Sequence, residues 1–149
     1  MAIRKIFTEE DKLLLRRSRP IDRFDDRLAE LLDDMHETMV KNDGVGLAGP
    51  QVGILRRVAV VEADDEYYEL INAKITDASG EQIDTEACLS VDSSKNCKVL
   101  RPDKVTFSSY DRNGKKYTAT VEGLLARAVC HELDHLEGIL FYTREYKGK

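Results

Sequence analysis

The sequence predicts an α+β fold: an N-terminal helix, several antiparallel strands, and a late buried helix carrying candidate metal ligands. Three observations predict it. Leu28, Leu31, Leu32, Met35 and Met39 recur at the spacing of one helix face. Strand-like runs follow, two of them flanking Asp111-Arg112-Asn113-Gly114, a hairpin signal. His131-Glu132-Leu133-Asp134-His135 then lies inside a strongly helical segment.

In chain order, Asp25 is placed to cap the first helix, and Asp43-Gly44 to end it. His36 falls off the apolar stripe and reads as a surface histidine. Strands are expected at 57–61, 67–71, 74–78, 82–85, 104–110 and 115–121. In the last helix, Leu124 and Ala128 continue the stripe holding His131 and His135, while Leu125, Val129, Leu133 and Leu136 occupy other faces. A helix apolar nearly all round is buried. Gly138 stands where a helix stop belongs.

At 149 residues the chain reads as one domain, 1–149, large enough for a real core. A net charge of −5 argues against general nucleic-acid affinity, and no specific nucleic-acid site is expected. Lys95, Lys98, Arg101 and Lys104 cluster, as do Arg16, Arg17 and Arg19; both groups read as solvated surface. No apolar run approaches the length of a membrane span, and the N-terminus lacks the long apolar stretch expected of a secretory signal. Three cysteines do not make a disulfide framework. The expectation is a soluble, cytoplasmic protein with reduced thiols and no membrane partner.

Residues four apart on a helix lie one turn above each other, so His131 and His135 can grip one metal ion. Glu132 would be close enough to handle a proton on water there. A pair of hydrogen-bonded core histidines is the plainer alternative, but it leaves a buried glutamate to explain. Two imidazoles leave a catalytic site one protein ligand short. Cys130 points about 100° away from His131 on the helix and reads as a small buried hydrophobe. Cys88, in Glu86-Ala87-Cys88-Leu89-Ser90, and Cys97, among Lys95, Asn96 and Lys98, are not separated by spacing. Residues 44–53 hold four glycines in ten positions, which lets backbone approach a ligand closely. A phosphate cradle would want Lys-Ser/Thr opening a helix; Pro50, Gln51 and a strand-like run argue against it.

Together and in this order, these stretches resemble the peptide deformylases. Their first motif, of type G-x-G-x-A-[AG]-x-Q-x-G, is matched at Gly44, Gly46, Ala48, Gly49, Gln51 and Gly53. The second, E-G-C-L-S, is met by Glu86, Cys88, Leu89 and Ser90, with Ala87 in the glycine place. The third, H-E-x-D-H-L-x-G, is met at His131, Glu132, Asp134, His135, Leu136 and Gly138. The resemblance covers almost the whole chain, including Leu15-Arg16, Arg101-Pro102 and the run from Glu122 to Arg127. Departures fall at Ala87, at Asp92 where proline is common, at 93–97 where glycines are common, and at Cys130 where glutamine is common. They bear on the rim after Ser90, and so on substrate preference, rather than on the ligands.

The resemblance implies antiparallel sheets enclosing the metal-binding helix. It implies hydrolysis of the N-formyl group from the first methionine of new polypeptides, with an N-formylmethionyl peptide as substrate and formate as product. Cys88, His131 and His135 would be the metal ligands and Glu132 the proton carrier. The Gln51 side-chain amide and the Leu89 backbone N–H would donate to the oxyanion. Backbone near Gly46 would pair with the peptide as an added strand, and Val45, Leu124 and Ala128 would wall the methionine pocket. Glu86 and Arg101 would form a supporting ion pair. One thiolate and two imidazoles nominate zinc; the resemblance implies Fe(2+), with Zn(2+), Ni(2+) or Co(2+) able to take its place. It also raises a transient contact with the ribosome. Two rivals remain. A zinc protease of the H-E-x-x-H type would usually take a third ligand further along, where little chain remains. A non-catalytic metal- or peptide-binding domain would want a closed four-ligand site, leaving Glu132 and Gln51 without a task.

Overall fold

The structure, a computed structural model, describes residues 2–148. Helix α1 (Asp26–Lys41) begins where the Asp25 carboxylate accepts the Leu28 N–H at 3.1 Å, the expected cap. The strands are β1 (Gly46–Ala48), β2 (Val58–Ala63), β3 (Glu66–Ser79), β4 (Gln82–Glu86), β5 (Cys97–Arg101), β6 (Lys104–Tyr110) and β7 (Lys116–Glu122). Helix α2 (Gly123–Leu136) follows β7 directly. Strands β1-β2-β3-β6-β7 form one sheet in that order, β4-β5 form a second, and every pairing between them is antiparallel.

Strand β2 explains how the helices are held. Successive side chains of a strand point to opposite faces. Val58 and Val60 pack with Leu28, Leu32, Met35 and Met39 of α1, whereas Ala59 and Val61 pack with Leu125, Ala126 and Val129 of α2. A strand covered on both faces therefore reads as an unbroken apolar run. Helix α2 ends at Gly138, whose φ is +76° and whose missing Cβ would stand 2.5 Å from the Leu15 carbonyl oxygen. No helix among the described residues is long and apolar enough to cross a membrane.

The structure departs from expectation in four places. The runs at 67–71 and 74–78 are one strand, β3, whose register against β6 shifts between Ile71 and Lys74. Asn72 sits at that bulge with φ +51°, held by bonds of 2.8 and 2.9 Å to the Ile21 backbone. Two strands carry little sequence signal: β1 is three residues of the glycine-rich stretch, and β5 turns a charged residue, Arg101, inward beside Val99. His36 is half-buried rather than superficial, 2.9 Å from Glu62 and with its ring centroid 4.3 Å from that of Tyr67, tilted by 37°. The cluster at 95–104 is not all free basic surface, because Arg101 is buried and Lys95 pairs with Glu9.

Candidate active site

Helix α2 sets His131 and His135 one turn apart, with ring centroids 5.0 Å from each other. The turn after β4 brings Cys88 to them, its Sγ 3.3 Å from His135 Nε2. One ligand atom from each of Cys88, His131 and His135 lies within 4.8 Å of the other two. Bonds of about 2.0–2.3 Å around a tetrahedral ion need separations on this scale, so the donor set fits a divalent transition metal. Cys130 is instead buried beside a separate cavity with Arg57 and Leu133. Cys97 packs beside Val91, Val99 and Phe141.

His131 is oriented from behind. Its Nδ1 meets Glu86 Oε1 at 2.9 Å, which leaves Nε2 for the metal side. Glu86 is 4% exposed and receives Arg101 through two bonds, Nε at 2.8 Å and Nη2 at 3.0 Å. The expected Glu86–Arg101 pair is thus bidentate and buried. Burial pushes the Glu86 carboxyl up, but hydrogen bonds from His131 and Arg101 outweigh it and hold the group at about 2. Arg101 also reaches Asp134 at 2.8 Å, and Arg144 grips Asp134 from outside at 2.7 Å.

In the sequence Arg127 is only the end of the run from Glu122, yet it completes this network. It donates to Glu86 and to the Val99 carbonyl, the latter at 3.0 Å. A signal was available: Arg127 precedes His131 by four residues, so both lie on one helix face. Ser90 has a similar standing. Gln51 is 1% exposed, its Oε1 accepts the Ala48 N–H at 2.9 Å, and its Nε2 donates to Ser90 Oγ at 3.0 Å. Held at both ends, the amide turns its donor toward Cys88 Sγ, 3.4 Å away.

Glu132 is 4% exposed, and its Oε1 has no hydrogen-bond partner among the described residues. Burial pushes its carboxyl up to about 7, against the pull of His131. Burial, followed by the charge of His131, drives His135 down to about 3. Burial also pulls His131 down, but hydrogen bonds to Cys88 and Glu86 outweigh it and raise that group to about 10. A metal held by both imidazoles takes both in the neutral form. Gly46 explains the glycine at its position. A Cβ there would stand 2.5 Å from Glu132 Oε2. A cavity of about 310 Å³ opens over these groups, lined by Val45, Gly46, Gln51, Cys88, Leu89 and Glu132, with Leu124 and Ala128 beside them. Val45 and Leu124 remain 41% and 45% exposed at its wall. Ala87 is exposed at the cavity wall and is not among the positive-φ residues, so the backbone there does not require the glycine it replaces.

A family model described as polypeptide deformylase matches residues 3–149. The chain is 49% identical to a peptide deformylase of Caldicellulosiruptor bescii over 144 residues, covering 97% of this chain and 86% of that one. It is 49% identical to one from Alkaliphilus metalliredigens over 147 residues, 99% of each. Its fold matches the crystal structure of the Thermotoga maritima peptide deformylase with a TM-score of 0.93 at 32% identity, over 97% of this chain and 98% of that one. It matches an actinonin-bound class I type b peptide deformylase from Acinetobacter baumannii with a TM-score of 0.91 at 31% identity, over 98% and 100%. With the match running through nearly every residue, the chain belongs to the peptide deformylase family, metal-dependent hydrolases that remove the N-formyl group from newly made polypeptides.

Proposed function

We propose that Cys88, His131 and His135 hold one divalent metal ion, Fe(2+) in the native protein, and that Glu132, Gln51 and Leu89 act beside it on the formyl amide of an N-formylmethionyl peptide. Zn(2+), Ni(2+) or Co(2+) suit the same donors. The observation that carries this reading is Glu132, a buried carboxylate with a free oxygen, next in sequence to a candidate ligand and facing the cavity. A structural metal site has no use for such a group.

A cation bound there supplies Lewis acidity, which makes hydroxide available near neutral pH and polarises a carbonyl. Glu132 takes the proton of the attacking water and returns it to the amine nitrogen as the C–N bond breaks. Formate and a free N-terminus are the products. The Gln51 Nε2 and the Leu89 N–H donate to the oxygen that gains charge at the formyl carbon. Backbone at Val45 and Gly46 takes the peptide as an added strand. Val45, Leu124 and Ala128 give the methionine side chain an apolar wall. Glu86 and Arg101 keep His131 in its rotamer. We further infer a cytoplasmic location, consistent with three free cysteines, and a transient ribosome contact, consistent with a nascent-chain substrate.

The test is formate release from a formyl-Met peptide by anaerobically purified protein of measured metal content, run beside cleavage of an internal peptide bond. Formate release without internal cleavage is expected. Internal cleavage would move the reading to a protease, and metal binding without either reaction to a binding domain.

A further inference from the structure

Glu9 takes no part in the chemistry above, yet it sits at a junction of three segments around it. The N-terminal segment crosses behind the active-site wall and makes two backbone bonds to it. Phe7 N–H donates to the Gln51 carbonyl and Glu9 N–H to the Ser90 carbonyl, each at 2.7 Å. Gln51 and Ser90 are also joined to each other through their side chains at 3.0 Å. The Glu9 carboxylate then receives three donors: the Asp92 N–H at 3.1 Å, Lys95 Nζ at 2.6 Å and the Tyr142 hydroxyl at 3.2 Å. Lys95 lies over the Tyr142 ring at 4.7 Å. Tyr142 belongs to the turn Phe141–Arg144, whose Phe141 stacks on His131 at 5.6 Å.

The residues Cys88 to Asp92 are therefore tied at their far end to both ends of the chain. Asp92 replaces the proline that the resemblance leads one to expect. Its backbone, at φ −59° and ψ 137°, would accept a proline. What the aspartate adds is an N–H for Glu9, together with a carboxylate that caps the Ser94 N–H at 2.8 Å. One exposed Lys–Glu pair contributes little. A carboxylate taking donors from two other segments, one of them a backbone amide, fixes geometry as well.

We propose that Glu9 is a positioning residue: it clamps the loop from Cys88 to Asp92, so that Cys88 and Leu89 keep their places against His131, His135 and Gln51. This rests on the assignment of Cys88 as a metal ligand and Leu89 as a donor. The test compares Glu9→Ala, Glu9→Gln and Asp92→Pro with wild type in nickel-loaded protein. It measures loss of nickel to a chelator, amide hydrogen exchange at Glu9 and Val91, whose N–H groups are bonded to the Ser90 and Cys88 carbonyls, melting, and kcat and KM on a formyl-Met peptide.

For Glu9→Ala, faster nickel loss and a lower kcat are expected, each by about three- to ten-fold, below the weight of a group bonded directly to a ligand. Exchange at position 9 and at Val91 should quicken and KM should change little. Glu9→Gln keeps one oxygen for the Asp92 N–H and sets an NH2 against the Tyr142 hydroxyl, which can turn to accept it, so it should recover part of the loss. Asp92→Pro should move the same readouts in the same direction, by less. Unchanged nickel loss and unchanged exchange in Glu9→Ala overturn the clamp, whether or not melting falls. Wild-type protein without deformylase activity would sink the functional reading, while nickel loss and exchange would still decide the clamp.

Discussion

Replacing Gly46 with alanine should leave the fold in place and remove most of the turnover. An alanine Cβ would stand 2.5 Å from Glu132 Oε2, 2.9 Å from its Cδ and 3.0 Å from its Cγ. Ordinary contact begins near 3.4 Å, so the carboxylate must withdraw by about 0.9 Å. The strand has less freedom to yield than the side chain: Gly46 is registered against Val61, Leu47 against Val60, and Val45 accepts the Glu62 N–H at 2.8 Å. Gly46 is not at a positive φ, so alanine brings no backbone strain of its own. Misplacing a reacting group by about 1 Å can cost about 100-fold in rate. The expected result is therefore a kcat lower by about two orders of magnitude, with bound metal and melting near wild type. Gly44→Ala is the control. Its Cβ would press on Leu89 Cδ1 at 2.9 Å, a methyl that can rotate away, and its kcat should fall far less. Formate release, metal analysis and thermal melting read all of this. A Gly46→Ala protein with wild-type kcat would refute the placement of Glu132 as the proton carrier; one that loses its metal would show that the strand had moved instead.

Four further outcomes follow from the same geometry. Glu132→Gln should keep its metal while kcat falls by roughly two to four orders of magnitude, and a folded but metal-free variant would count against the proton-carrier role. Cys88→Ser should lose metal and activity while Cys97→Ser stays near wild type by the same metal analysis; the reverse pattern would reassign the third ligand. Arg127→Met removes one of the three partners of Glu86 and the donor to the Val99 carbonyl, so stability should fall by about 2–3 kcal/mol and the melting temperature by roughly 5–10 °C. In air, iron-loaded protein should lose activity well before nickel-loaded protein, and mass spectrometry should find added oxygen on Cys88 first. Burial pushes the Cys130 thiol up to about 11 and raises Cys97 as well, which keeps both in the unreactive form.

Much of the site was legible because its residues sit in short, regular contexts. His131 and His135 are one helical turn apart in any α-helix, and Gln51 and Cys88 stand in the first and second motifs that carry the resemblance. Helix α1 and strands β6 and β7 were legible for a similar reason: each pairs a strong apolar period with a clear cap or turn. The bulge at Asn72 was hidden because its cause is tertiary, a side chain bonded to Ile21 far away in sequence. Strand β5 was hidden because its inward residue Arg101 answers to Glu86 rather than to an apolar core. Spacing alone left Cys88 and Cys97 tied. Their difference lies in the turn after β4, which aims one thiol at His135 and leaves the other beside Val99.

Arg101 points to a property of the fold that bears on the chemistry. The larger sheet holds α2 through apolar contact, with Ala59, Val61, Leu70, Val105 and Phe107 against Leu125, Ala126 and Val129. None of the β4 or β5 side chains joins that cluster. A two-stranded sheet is marginal by itself, and this one brings only Val99 and Cys97 to a small cluster around Phe141. What fastens it to α2 is charge: Glu86 and Arg101 from the sheet, Arg127, His131 and Asp134 from the helix. Buried ion pairs often add less stability than an apolar seam of the same volume. An apolar seam would tolerate sliding, however, whereas a bidentate guanidinium fixes direction and distance. Cys88 leaves β4 two residues after Glu86, so the register of that seam sets the distance from its sulfur to the two imidazoles. The charged seam trades stability for placement, and the placement is of candidate ligands that come from both sides of it.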